Sequence, residues 1–180
     1  NLGPQINMSS AYDSPGNMSA DGLTLYFESG WGFYTTTRAT HDAPWGPRIS
    51  LGPIVVPSTS YLNAIPLVTA DGLELFFTSQ RPGGHGTGDI WVSVRASSSD
   101  AWGTPVNLGP TVNTPAGDVA TWISPDGLTL LLSSDRPGGL GGRDVWMTTR
   151  SFKGAPWGPA QNLGPSVNTS YADWIGAISP

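Results

Sequence analysis

The sequence predicts an all-β repeat protein, and three observations carry that prediction. A short phrase recurs four times, as Asn1-Leu-Gly-Pro4, Ser50-Leu-Gly-Pro53, Asn107-Leu-Gly-Pro110 and Asn162-Leu-Gly-Pro165. Its period of about 50–57 residues is that of a solenoid or propeller, whose units bury their apolar faces only against one another. Each unit also holds an Asp-Gly pair followed by alternating apolar residues, and the 180 residues include 24 Gly and 17 Pro with only 12% charged. That composition suits many short strands joined by tight turns.

The elements follow in order along each unit. Short innermost strands are expected at Ser14–Ser19, Ala64–Thr69, Val119–Ser124 and Trp174–Ser179. Next come Asp21-Gly22, Asp71-Gly72 and Asp126-Gly127, pairs that tolerate positive φ in a two-residue hairpin. After each pair, Leu23 and Leu25, Leu73 and Leu75, and Leu128 and Leu130 lie on one face of a second strand. The segments Arg81-Pro-Gly-Gly84 and Arg136-Pro-Gly-Gly139 are turns, and the β-branched and aromatic runs after Asp89 and Asp144 are third strands. In the first unit this loop is seven residues shorter, between Asp21 and Arg38, and Trp31 falls near the place of Trp91 and Trp146. Each unit closes on Trp45-Gly-Pro, Trp102-Gly-Thr-Pro or Trp157-Gly-Pro, read as a fourth strand that proline confines to a sheet edge. The units span about 10–53, 60–110 and 115–165, with 166–180 opening a further one, which makes roughly thirteen strands in a single domain.

The phrase Ile123-Ser-Pro-Asp126-Gly-Leu-Thr-Leu130, with Ser134-Asp-Arg-Pro-Gly-Gly139 and Asp144-Val-Trp146, resembles the WD40-like Pro-Asp repeat of TolB-type propellers over nearly the whole chain. The resemblance implies a β-propeller of four-stranded antiparallel blades, about three of them plus one extra strand here. It also implies a bacterial protein of the periplasm, cell surface or extracellular space that binds partners. The first unit departs from the pattern, with Met18-Ser-Ala-Asp21 and no Arg-Pro-Gly-Gly. Propellers close with four to eight blades, so three need completion, by further blades of a longer chain or by a second copy. A start at Asn1 rather than Met agrees with a processed or excised piece.

Composition excludes several classes of function. A net charge of −5, with one Lys and seven scattered Arg, leaves no phosphate-binding patch and argues against nucleic acid. No apolar run approaches the length of a membrane helix, and without cysteine there is neither disulfide nor thiolate metal site. No cofactor motif and no nucleophile elbow occurs, and His41 and His85 sit alone in loops.

The candidate ligand-binding residues are Asp13, Asn63, Asp118, Asp173, Trp122 and Trp174. The first four recur just before each innermost strand, near one mouth of a central channel, where they would face a sugar hydroxyl, a cation or a basic peptide end. Capping their own turns is the competing role. Asp89 and Asp144 follow glycine-rich loops but bring too few carboxylates for calcium, and so read as turn locks. Six of the eight tryptophans recur with the repeat and read as packing. Trp122 and Trp174 do not recur, and a stacking platform beside a polar anchor is their expected use. The expected function is a non-catalytic binding or scaffolding propeller docking a protein or glycan at the channel mouth. The alternative is a carbohydrate-active enzyme with channel carboxylates, such as Asp118 and Asp173, as acid and base.

Overall fold

Alternating apolar residues and Asp-Gly turns produce three separate four-stranded antiparallel sheets in the computed structural model, which describes residues 6, 13–30, 32–52 and 63–175. The first sheet comprises β1 (Asp13–Met18), β2 (Thr24–Ser29), β3 (Gly32–Thr37) and β4 (Ile49–Ser50). The second comprises β5 (Asn63–Val68), β6 (Glu74–Ser79), β7 (Asp89–Val94) and β8 (Val106–Asn107). The third comprises β9 (Asp118–Ile123), β10 (Thr129–Ser134), β11 (Asp144–Thr149) and β12 (Gln161–Asn162). Spatial order follows chain order within every sheet, and the described residues contain no helix. The sheets meet through their first strands, β1 against β5 and β5 against β9, so they fan outward as blades. Of the strand expected at Trp174–Ser179, Trp174 and Ile175 form no strand, and the remainder lies outside the described residues.

The Asp-Gly turn is longer than the two-residue hairpin expected from the pair alone. Ser19 N–H bonds Thr24 C=O at 2.9 Å and Gly22 N–H bonds Ser19 C=O at 2.8 Å, which leaves four residues in the loop. Gly22 takes φ of 66°, as Gly72 and Gly127 do in their blades, a region that β-carbon sterics deny most residues. Asp21 accepts from the Ser19 hydroxyl and from Leu23 N–H, bonds that hold its carboxyl below the ordinary aspartate range. Asp126 repeats this with Ser124 and Leu128.

The fourth strands are only two residues long, an arrangement that limits edge-to-edge pairing. The Trp-Gly-Pro phrase lies just before each one rather than within it. There Gly46, Gly103 and Gly158 bond the third strand through both N–H and C=O. The arginine closing each third strand stacks on that tryptophan, with Arg38 over Trp45 at 4.5 Å, Arg95 over Trp102 at 4.2 Å and Arg150 over Trp157 at 4.6 Å. Its Nε also donates to the glycine carbonyl of the Asp-Gly turn. One side chain thus ties the Asp-Gly turn to the Trp-Gly-Pro phrase at one end of the blade.

Apolar burial is concentrated between blades. Phe33 meets Phe77 edge-on at 5.4 Å between the first and second, and Phe76 meets Trp157 at 5.9 Å between the second and third. An asparagine side chain adds a polar clamp within each later blade. Asn113 accepts from Ile90 N–H and donates to Ile90 C=O, and Asn168 does the same to Val145. Asn113 lies just ahead of β9, so the clamp carries the chain out of one blade and into the next.

Candidate functional site

The first strands run side by side, so the residues at their two ends form two distinct neighbourhoods. Each strand has six residues, about 20 Å of extended chain. Asp13, Asn63, Asp118 and Asp173 occupy the beginnings of these strands or the equivalent position, and an open cavity lies at their far ends.

Asp118 is fully buried. Its Oδ2 accepts from Thr114 N–H and hydroxyl, and its Oδ1 accepts from the Ser134 hydroxyl and from Arg136 Nη2 at 2.6 Å. Both carboxylate oxygens are therefore engaged by the blade itself. Asp173 closes the same turn with Thr169, at 2.7 Å from its N–H, and is more open to solvent. Asp13 begins β1 opposite Ser29, and Asn63 begins β5 opposite Ser79. Trp174 is 55% exposed, with Arg143 stacked over it at 5.0 Å and Arg143 pairing Asp135 at 3.7 Å. Trp174 and Trp122 stand in different neighbourhoods, so the structure does not bring the six candidates together.

Asp89 and Asp144 lock their loops. Asp89 accepts from His85 and Gly86 N–H and from Asn107 Nδ2, and Asp144 accepts from Leu140 and Gly141 N–H and Asn162 Nδ2. Burial works against the Asp144 charge, and these bonds outweigh it to leave the carboxyl below its ordinary range. Among the described residues, no three His, Cys, Asp or Glu side chains gather where a metal would sit.

The cavity, of about 360 Å³, opens among the ends of β1, β5 and β9. All three strands bulge as they reach it, at Gly16-Asn17, at Ile65-Pro66 and at Thr121. Bulges re-aim side chains and gather near functional sites. Ile65 takes φ of 56°, a strained value for a β-branched residue, and Gly16 lies so close to the Pro66 carbonyl that a β-carbon there would approach to 2.0 Å. Trp122, half-buried, lines the wall with Tyr26, Met18, Thr121 and Pro125. Asn17 also lines it, but its amide is committed to Val68, donating to C=O at 2.7 Å and accepting from N–H at 2.8 Å.

Of the residues that line the cavity, the sequence singled out Trp122 and not Asn17, Tyr26 or Thr121. The signal was available, because the repeat varies most at these places. Asn17, Leu67 and Trp122 are equivalent, as are Gly16, Pro66 and Thr121, and Tyr26, Phe76 and Leu131. One further polar group stands apart. Glu28, buried in β2 where the other blades have Thr78 and Ser133, has its carboxyl pushed up to about 7 by burial.

No protein-family model matches the chain, and no curated protein matches it in sequence. Among solved structures, the chain is similar to an α-L-arabinofuranosidase from Podospora anserina solved with cellotriose, at 15% identity and a TM-score of 0.57 over 91% of this chain. The match covers 53% of that structure, so the chain spans about half its length. A putative TolB from Agrobacterium tumefaciens matches over 91% of this chain and 66% of that one, at 13% identity and a TM-score of 0.44. Among the described residues no helix is long and apolar enough to cross a membrane. Three sheets fanned from their first strands, together with the arabinofuranosidase match, show the fold: the described chain forms three blades of a β-propeller.

Proposed function

We propose that the chain is a non-catalytic binding or scaffolding propeller that engages a protein or glycan partner in the channel between its first strands. Its place of action is extracytoplasmic, in a bacterial envelope or outside the cell, as the Pro-Asp repeat resemblance implies. One observation carries the binding reading. The blades share their strands and turns, and among the places where they differ is the one where three strand ends enclose a cavity with Trp122 and Tyr26 in its wall. Variation on a repeated frame is where a scaffold gains specificity, and an aromatic wall with a few polar groups is the usual make-up of a ligand site.

A hydrolase would employ Asp118 and Asp173, yet Asp118 is buried and held by Arg136, Ser134 and Thr114, a geometry suited to stability. The arabinofuranosidase with the same fold was solved with cellotriose, which makes oligosaccharides a sensible first panel beside peptides. In calorimetric titration of such panels, Trp122→Ala should weaken a ligand about thirtyfold, the effect of losing a hot-spot tryptophan worth about 2 kcal/mol, with an unchanged melting temperature. Trp102→Ala, under Arg95, should instead lower the melting temperature. Binding that survives Trp122→Ala but is lost in Trp174→Ala would move the site to the opposite end of the strands. Release of reducing ends that Asp118→Asn abolishes would replace the reading with a hydrolase.

A further inference from the structure

The cavity wall carries a chemical contradiction that identifies its ligand class. Among the described residues, none that lines it is charged. An ionic ligand would therefore lose its hydration with no opposite charge to replace it, and burial of an unpaired charge is strongly unfavourable. A purely apolar ligand fits no better. Thr121 is 6% exposed, and its Oγ1 is buried with no hydrogen-bond partner. Native structures rarely leave such a group unpaired, because the desolvation it suffers goes uncompensated. Trp91, Trp102, Trp146 and Thr35 also hold an unpartnered buried atom, but none of those residues belongs to the cavity.

Two further polar groups in the wall are equally unspent. No described residue hydrogen-bonds the Tyr26 hydroxyl or the Trp122 indole N–H. This contrasts with the other hydroxyls nearby. Ser19, Thr69 and Ser124 each donate to the aspartate of their Asp-Gly turn and accept from the backbone, and Asn17 is held by Val68. Among the described residues the wall therefore offers the aromatic side chains of Trp122 and Tyr26 with a neutral polar group on each, and Thr121 behind them, with no charged side chain lining it.

We infer that this cavity binds a neutral carbohydrate, the end of an uncharged oligosaccharide, with a sugar ring stacked on Trp122, one ring hydroxyl paired with Tyr26 and another met by Thr121, whose Oγ1 is buried beneath the cavity surface and turns outward to reach it. The inference rests on the binding reading above and specifies its ligand. A pyranose joins an apolar C–H face to a rim of uncharged hydroxyl groups, which is the complement of this wall. Extended proline-rich peptides also favour aromatic surfaces, but they lie along a groove. Here the wall is made of three strand ends gathered about a pit, which suits the tip of a chain.

The test is calorimetric titration of the 180-residue chain with cellotriose, xylotriose, trigalacturonate and a proline-rich decapeptide, alongside thermal melting. The neutral trisaccharides should bind, and trigalacturonate and the peptide should not. Thr121→Val, nearly isosteric, should weaken binding about tenfold, the effect of one neutral hydrogen bond, while leaving the melting temperature equal or higher because an unpaired buried hydroxyl has gone. Tyr26→Phe supplies an independent variant should Thr121→Val fold poorly, and a similar loss is expected. The glycan assignment falls if the neutral sugars bind equally well to both variants, if Thr121→Val only lowers the melting temperature, or if trigalacturonate binds best. Peptide binding that depends on Trp122, with silent sugars, would overturn the ligand class and keep the cavity as the site. Silence from every probe would overturn both.

Discussion

Arg48 shows how a single residue rescues a blade that lacks part of its repeat. In the second and third blades Arg81 and Arg136 stack over Trp91 and Trp146, at 5.2 and 5.1 Å, and bond the Ser79 and Ser134 hydroxyls. The first blade has no Arg-Pro-Gly-Gly loop, and strand register puts Tyr34, not Trp31, in the place of those tryptophans; Trp31 itself lies outside the described residues. Arg48, from the approach to β4, stacks on Tyr34 at 4.7 Å and bonds Ser29 at 3.1 Å. This was not legible in the sequence, because the same guanidinium arrives from a different point in the chain. Glu28 is another unit-specific residue, and it makes a pH prediction. Burial raises its folded pKa from 4.5 to about 7, so folding disfavours its ionised form. Stability should be complete below about pH 4.5, fall as pH rises towards 7, and level off above that. Glu28→Gln should flatten this slope and raise the melting temperature at pH 8. Melting profiles from pH 4 to 8 that run parallel for the two proteins would dismiss the idea.

Strands, turns and their order were readable from periodicity, since Leu-x-Leu after Asp-Gly and β-branched runs after Asp89 and Asp144 leave few alternatives. The fourth strands were harder, because only two residues of each pair and the tryptophan beside them is held by an arginine 7 residues away in sequence, as Arg38 holds Trp45. The asparagine clamps escaped notice entirely, as a lone Asn in a loop gives no hint that it will imitate a strand edge. They matter energetically. Asn113 is 1% exposed and serves Ile90 N–H, Ile90 C=O and Asn107 Oδ1 together. Asn113→Ala strands these buried groups and should destabilise the fold by about 3 kcal/mol in urea unfolding. Asn168→Ala, with matching bonds to Val145 and Asn162, should resemble it. An effect below about 0.5 kcal/mol in both would mean that water replaces the amide without loss.

At the scale of the whole molecule the repeat period made the propeller readable, while the site was only partly so. The repeated acids stood out by their recurrence, and in Asp118 that recurrence accompanies a turn pinned by Arg136. Three blades leave the ring open. Tyr171, at 79% exposure, and Trp174, at 55%, stand on the third blade's outward side beyond Arg143. Exposed aromatic clusters promote association, so light scattering of the chain should show a concentration-dependent mass, reduced by the Tyr171→Ser, Trp174→Ser pair. A monomer at every concentration would contradict this.

The turn at Thr169–Asp173 gives the molecule a direction. It reproduces the turn at Thr114–Asp118, down to Tyr171 N–H on the Thr169 hydroxyl and Asp173 N–H on the Arg143 carbonyl. In the earlier copy a serine and an arginine from the following strands complete the aspartate. The Asp118 turn is thus bonded to the blade behind it through the Gly88 carbonyl, and its cation comes from the blade ahead. The second and third blades thus each present a carboxylate ahead of them, Asp118 and Asp173, where the first leads to the neutral Asn63, and a neighbour settling beside Asp173 in the same way would bring a positive charge and a hydroxyl to it.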